Sequence, residues 1–121
     1  MTDIDSHVRK FEKELSAGTV SLALLAVLGA APEPMYGYQI AKRLERDAGG
    51  VLTGKQSALY PVLRNLGGAG LLDSFVEPSV AGPPRRYYRI TETGRAALAA
   101  WSAAWHATRN SVDQILTGET A

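Results

Sequence analysis

Cysteine is absent from the 121 residues, so disulfides and thiolate metal sites are excluded. Histidine is nearly absent. His7 and His106 lie far apart and neither has metal-ligand spacing, so no metal site is expected. No charge sign dominates: 13 Lys and Arg stand against 12 Asp and Glu, a net charge of +1. Composition therefore does not mark a polyanion binder, and only uneven placement of the basic residues can do so. No apolar run approaches the roughly 18 residues of a membrane span. Val20 to Leu28 has the length of a signal-peptide core but lies behind the charged segment Arg9 to Glu14, which favours a buried helix and a cytoplasmic protein. No nucleophile–base pair or phosphate-binding glycine motif is visible, and Gly67-Gly68-Ala69-Gly70 reads as a helix stop. Neither an enzyme nor a cofactor is expected.

What is present has the length of one domain, with 45% hydrophobic and 21% charged residues. Ile4, Val8, Phe11 and Leu15 recur 4, 3 and 4 residues apart, one stripe of an amphipathic helix, with a stop expected at Ala17-Gly18. Thr19 to Ala31 is apolar nearly all round and reads as a central helix ending before Pro32. A third helix, Tyr36 to Ala48, buries Ile40, Ala41 and Leu44, and Gly37 near its start allows a close approach. Val51-Leu52 is at most a brief strand. Thr53 to Gln56 matches a capping box for a fourth helix, whose Leu59, Val62, Leu63 and Leu66 face the core. Pro61 is expected in that helix's first turns. Leu71 to Glu77 and Arg85 to Ile90 alternate as strands around a long tip, Pro78 to Pro84. Thr91 caps a last helix reaching about Leu116.

Three features point to function. On the fourth helix Gln56, Ser57, Tyr60 and Arg64 share the face opposite the leucines. A helix fits the major groove of DNA, Gln and Arg can bond base edges, and Ser and Tyr can hold phosphates. The bland alternative is a solvated face. In the hairpin, Arg85 and Arg86 fall on opposite faces, Tyr88 and Ile90 point to the core, and one arginine remains for a phosphate or the minor groove. A charged edge that blocks aggregation is the alternative there. On the last helix Leu98, Trp101, Trp105, Thr108, Val112 and Ile115 form a heptad-like seam flanked by alanines. The seam suggests pairing with a second copy, with the stripe of the first helix beside it. Trp101 and Trp105 then form either a packed aromatic core or a gap for a flat aromatic ligand.

The expected fold is mainly α with a β-hairpin: a winged helix-turn-helix over residues 19–91, an N-terminal helix over 1–18 and a C-terminal dimerisation helix over 92–121. The expected DNA surface comprises Tyr38, Lys55, Gln56, Ser57, Tyr60, Arg64, Arg85 and Arg86. The expected dimer interface comprises Phe11, Leu15, Leu98, Trp101, Trp105, Val112 and Ile115. The competing reading is a winged-helix module that binds protein, which requires an exposed apolar patch on the wing instead of a basic stripe.

Four motifs occur in order: Tyr36-Gly37-Tyr38-Gln39-Ile40, Ser57-Ala58-Leu59-Tyr60-Pro61-Val62-Leu63, Gly70-Leu71-Leu72 and Gly82-Pro83-Pro84-Arg85-Arg86-Tyr87-Tyr88-Arg89-Ile90-Thr91-Glu92-Thr93-Gly94. This series closely resembles the PadR family of bacterial transcriptional regulators over roughly residues 19 to 100. The resemblance implies a winged-helix homodimer joined through the C-terminal helix, which binds a palindromic operator in double-stranded DNA, usually as a repressor. It maps the reading helix onto Gln56 to Leu66 and the wing onto Glu77 to Arg86. Some short members bind planar aromatic or cationic drugs between tryptophans of the last helix, to which Trp101 or Trp105 correspond. The N-terminal helix departs from the pattern of short members and stands where it would cover the gap between paired C-terminal helices.

Overall fold

The computed structural model describes residues 3–49 and 56–118, with the side chains of Gln56 and Ser57 outside that description. The elements in order are α1 (Ile4–Ala30), β1 (Met35–Tyr36), α2 (Gly37–Ala48), α3 (Gln56–Gly68), β2 (Leu72–Ser79), β3 (Gly82–Ile90) and α4 (Glu92–Thr117). The Val51-Leu52 strand and the Thr53 capping box expected from sequence fall outside the described residues.

α1 departs from the expected pair of helices. It runs unbroken for 27 residues, straight through Ala17-Gly18. A glycine inside a helix costs only about 1 kcal/mol relative to alanine. The second half of α1 buries Leu24, Leu25, Val27 and Leu28, each contributing about 1.5–3 kcal/mol. A local bond also spans the glycine: the Thr19 hydroxyl donates to the Leu15 carbonyl (2.9 Å). By length and composition α1 could cross a membrane. Its apolar half instead supplies the core.

The helix ends where Ala31 turns extended (φ −75°, ψ 131°), as a residue preceding proline must. Tyr36, read from sequence as a helix start, is instead the second residue of β1. That short strand pairs antiparallel with β3 through Met35↔Tyr88 and Tyr36↔Tyr87. The Tyr36 amide then donates to Gln39 Oε1 (3.1 Å) and opens α2. In α3, Pro61 lies inside the helix, within its first two turns as expected.

The sheet has the order β1-β3-β2. The hairpin is longer and its turn tighter than sequence suggested. Ladder pairing persists to Ser79↔Gly82, leaving Val80 and Ala81 as the connection. Between Glu77↔Arg85 and Ser79↔Gly82 the register slips, with one more residue on β3 than on β2. Pro83 and Pro84 fall in that irregular stretch, where their missing N–H groups remove least from the ladder.

Leu24, Leu25, Ile40 and Leu63 are the largest fully buried side chains, joined in the core by Leu44, Leu59, Leu66, Leu72 and Tyr88. α1, α2, α3 and the inner face of the sheet thus share one core. α4 is fastened to it at its start. The Gly94 amide donates to Thr91 Oγ1 (2.9 Å), that hydroxyl donates to the Gly70 carbonyl (2.8 Å), and the Thr91 amide donates to the Leu71 carbonyl (3.1 Å). Gly94 is required there, because a Cβ would overlap the Leu71 carbonyl.

Candidate nucleic-acid interface

Strand alternation sorts the hairpin's arginines. Arg86 stands in register with Val76 on the face that carries Ser74 and Tyr88, and Arg85 stands opposite Glu77 on the other face. The inner face looks toward α3. Between them lies a cleft of about 760 Å³, whose lining includes Tyr60, Arg64, Asp73, Ser74, Arg86 and Tyr88. Arg86 Nη1 donates to Ser74 Oγ (3.0 Å), which fixes the guanidinium at the cleft wall. Among the described residues neither Arg64 nor Arg86 is paired with a carboxylate. The ion pairs there are Arg46–Asp47, Arg89–Asp73 and Arg109–Asp113, and His7 Nε2 lies 3.7 Å from Asp3 Oδ2.

Tyr88 is 7% exposed. Burial raises its phenol pKa above the ordinary 10.0, against the opposing pull of the Arg86 and Arg64 charges. It is therefore a neutral hydroxyl at any physiological pH. Tyr60 reaches this region because Gly37 has no side chain: a Cβ on Gly37 would stand 2.8 Å from the Tyr60 ring and hydroxyl. The close approach expected at Gly37 is thus an α2–α3 contact that seats a tyrosine of the contact face.

Of the residues expected at a DNA surface, the structure brings Tyr60, Arg64 and Arg86 together. Arg85 sits on the outer sheet face, its guanidinium 4.5 Å from the centre of the Tyr36 ring. Tyr36, Tyr87 and Phe75 form a row across that face, with ring centres 5.4 and 5.6 Å apart. The rings cover one another, so the row stiffens the base of the hairpin. Tyr38 lies in a separate hollow of about 710 Å³ beside Tyr36, Lys42, Arg43 and Arg46. Its ring stacks on Tyr36 (6.5 Å) with Lys42 Nζ 5.6 Å from its centre. Lys55 lies outside the described residues, as do the side chains of Gln56 and Ser57. Sequence reading missed Ser74 and counted Tyr88 only as core. The register Ser74↔Tyr88, once known, brings both to the Arg86 side of the sheet.

A second surface is apolar. Along α1, Ile4, Val8, Phe11 and Leu15 face outward, Phe11 being 60% exposed. Along α4, Trp101, Trp105, Val112, Ile115 and Leu116 do the same, with Trp105 37% and Ile115 78% exposed. Leu98 packs within the chain instead, its Cδ2 3.0 Å from where a Gly29 Cβ would stand. Trp105 borders a mainly apolar hollow of about 480 Å³ with Leu15, Thr19, Leu22, Ala23 and Ala48, and with Glu12 and Ser16 at its edge.

Residues 24–100 match the model of a family described as the PadR-like transcriptional regulators. A PadR-family transcriptional regulator from Eggerthella lenta shares 33% identity, with 93% of this chain and 95% of that one covered and a TM-score of 0.74. A PadR-like regulator from Bacillus cereus shares 25% identity over 88% of this chain and 99% of that one, with a TM-score of 0.70. Bacillus subtilis PadR, solved in complex with operator DNA, has the same fold at 23% identity and a TM-score of 0.62, over 69% of this chain and 46% of that one. An uncharacterised protein of Lysinibacillus sphaericus is 26% identical over 83 residues, 69% of this chain and 76% of that protein. With four helices and a three-stranded antiparallel sheet among its described residues and a family match over most of its length, the chain belongs to the PadR-like family of transcriptional regulators, and is a DNA-binding regulator of winged-helix fold rather than an enzyme.

Proposed function

We propose that this chain is a cytoplasmic repressor that binds a palindromic operator as a homodimer and is released by a small aromatic ligand. The observation that carries the DNA reading is the cleft between α3 and the hairpin, where two arginines without carboxylate partners among the described residues stand beside hydroxyl groups. The two guanidiniums at this lining suit a polyanion. In this reading α3 enters the major groove, Lys55, Gln56, Ser57 and Tyr60 contribute contacts from that side, and Arg85 and Arg86 approach the backbone from the hairpin. Tyr38 and Lys42 serve the backbone at the flank. Bacillus subtilis PadR, which shares this fold, is solved in complex with operator DNA.

Dimerisation rests on the uncovered stripe of α1 and α4. Isolated apolar side chains on a surface need no explanation, but a stripe sustained along two helices marks an interface. Two-fold pairing would hold the α3 helices about 34–36 Å apart, one duplex turn. The division into an N-terminal helix (1–18), a winged helix (19–91) and a dimerisation helix (92–121) is then functional, even though residues 4–30 form one helix.

The hollow beside Trp105 is mainly apolar and has room for a planar aromatic compound. A ligand wedged there, with Trp101 nearby on the same seam, would change the angle between subunits and so the spacing of the reading helices.

Fluorescence anisotropy against duplexes recovered by in vitro selection tests the DNA reading. Affinity should fall with salt at a slope near −0.9 per phosphate neutralised. A flat salt dependence would overturn it. For the ligand, tryptophan fluorescence should quench as a binding aromatic compound is added and operator affinity falls. Quenching without loss of DNA binding would reduce the site to a passive pocket.

A further inference from the structure

We propose that the cleft between α3 and the hairpin is a phosphodiester site in which Arg64 and Arg86 grip one and the same backbone phosphate. This rests on the DNA-binding reading above and assigns Arg64 to the backbone, where its residue type alone suggested a base reader.

The geometry begins with what separates two grooves. A helix lying in one groove and a hairpin reaching toward the next must straddle the sugar-phosphate strand between them. In this chain the space so straddled is the cleft of about 760 Å³, and its two walls each present a guanidinium: Arg64 from α3 and Arg86 from β3. Tyr88, whose phenol feels both charges, lines the same cleft. Two like charges sharing a cleft repel one another, and neither is offset by a carboxylate among the described residues. Asp73, the one acid at the cleft, is held through its Oδ2 by Arg89 (3.7 Å) on the outer sheet face. An anion between the guanidiniums would remove the repulsion and receive charge-assisted hydrogen bonds from both.

The neutral groups fit the same ligand. Ser74 Oγ accepts from Arg86 (3.0 Å), so its own hydrogen remains to donate. Tyr88, kept protonated by burial, is a hydroxyl donor with no charge to repel a phosphate. The Ser74 contact holds Arg86 in place before DNA arrives, which lowers the ordering cost of the contact. Base recognition by Arg64 would require it to leave this cleft for the groove floor.

The experiment compares native protein, Arg64→Gln, Arg86→Gln and the double variant. Each is titrated at several salt concentrations against a selected duplex and against a scrambled duplex of equal length and composition. Both arginines are exposed, so glutamine leaves the fold in place. If they share one phosphate, each single change weakens both duplexes by the same factor, about tenfold or more. Each single change then leaves the salt slope nearly as it was, because the remaining arginine still neutralises the phosphate. The double variant loses about 0.9 of slope. Separate phosphates would instead remove about 0.9 in each single variant and about 1.8 in the double, which overturns the shared site. An Arg64 variant that weakens only the selected duplex overturns the backbone assignment.

A scan with single neutral methylphosphonate linkages gives a second reading. One position per half-site should cost the native protein affinity and cost both single variants much less. Two separate positions, one lost in each variant, would contradict the proposal. If native protein binds neither duplex, the DNA-binding reading itself fails and the site goes with it.

Discussion

Glycines show how differently one residue type behaves at two positions. At Gly94 a Cβ would overlap the Leu71 carbonyl and crowd Ile90. Gly94→Ala should destabilise the chain by about 3 kcal/mol, the upper end of the range for overpacking. At Gly18 nothing lies within 4 Å of the added carbon, and the position is helical. Gly18→Ala should stabilise by about 0.5–1 kcal/mol. Chemical denaturation of both variants checks the pair, and equal effects would show that the two sites differ less than their surroundings indicate. Tyr88 gives a pH prediction. Burial lifts its pKa above 10.0 in the fold, so the folded state binds that proton more tightly than the unfolded chain. The associated stability is complete below the unfolded value of 10.0 and is lost as pH rises through the folded one. The urea midpoint of the native protein should therefore fall more steeply above pH 10 than that of Tyr88→Phe, and parallel curves would remove the effect from Tyr88.

Among the elements, α1 is divided by its surroundings. Leu25 is fully buried and Phe11 is 60% exposed in the single chain. Leu25→Ala should cost about 2–5 kcal/mol at any concentration. Phe11→Ala should cost at most about 0.5 kcal/mol in dilute monomer and more as concentration rises, if a second copy covers it. Melting temperatures across a concentration series separate the two, and a concentration-independent Phe11 variant would remove α1 from the interface. The same helix shows what sequence could not convey. The apolar stripe of Ile4 to Leu15 and the all-round apolar run after it were both legible from residue spacing. That they form one helix was not, because Ala17-Gly18 looks like a local stop while the burial of Leu24 to Leu28, about 9–15 Å further along the rod at about 1.5 Å per residue, is a tertiary effect that decides the matter. The Pro78 to Pro84 stretch was read as a loop for a similar reason: proline disfavours a regular ladder but tolerates a bulge. β1 escaped notice because two residues carry no periodicity. α3, the Thr91 cap and the core leucines were legible, since helical spacing and capping chemistry are local. The cleft was half legible. Arg64 and Arg86 were visible as cations, but the register that brings Ser74 beside Arg86 comes only from strand pairing.

The whole molecule joins two surfaces of opposite character. The α3–hairpin cleft carries two arginines and several hydroxyls, and the α1–α4 stripe is apolar. α4 connects them, because its first turn is bonded to the turn after α3 through Thr91 and Gly70. In the proposed dimer, a change in the packing of α4 against the second copy would be passed to α3 through these bonds. Ile115→Asp should break self-association by burying an unpaired charge at the seam, and operator affinity should fall sharply while each folded chain persists. Sedimentation velocity beside anisotropy checks this, and a monomeric variant with undiminished affinity would separate dimerisation from DNA binding. The most direct test of the central claim is hydroxyl-radical footprinting on a selected duplex. Two protected backbone patches on one face of the DNA, about 10 base pairs apart, are predicted. A single patch, or none, would contradict a paired regulator that presents two α3 helices at one fixed spacing.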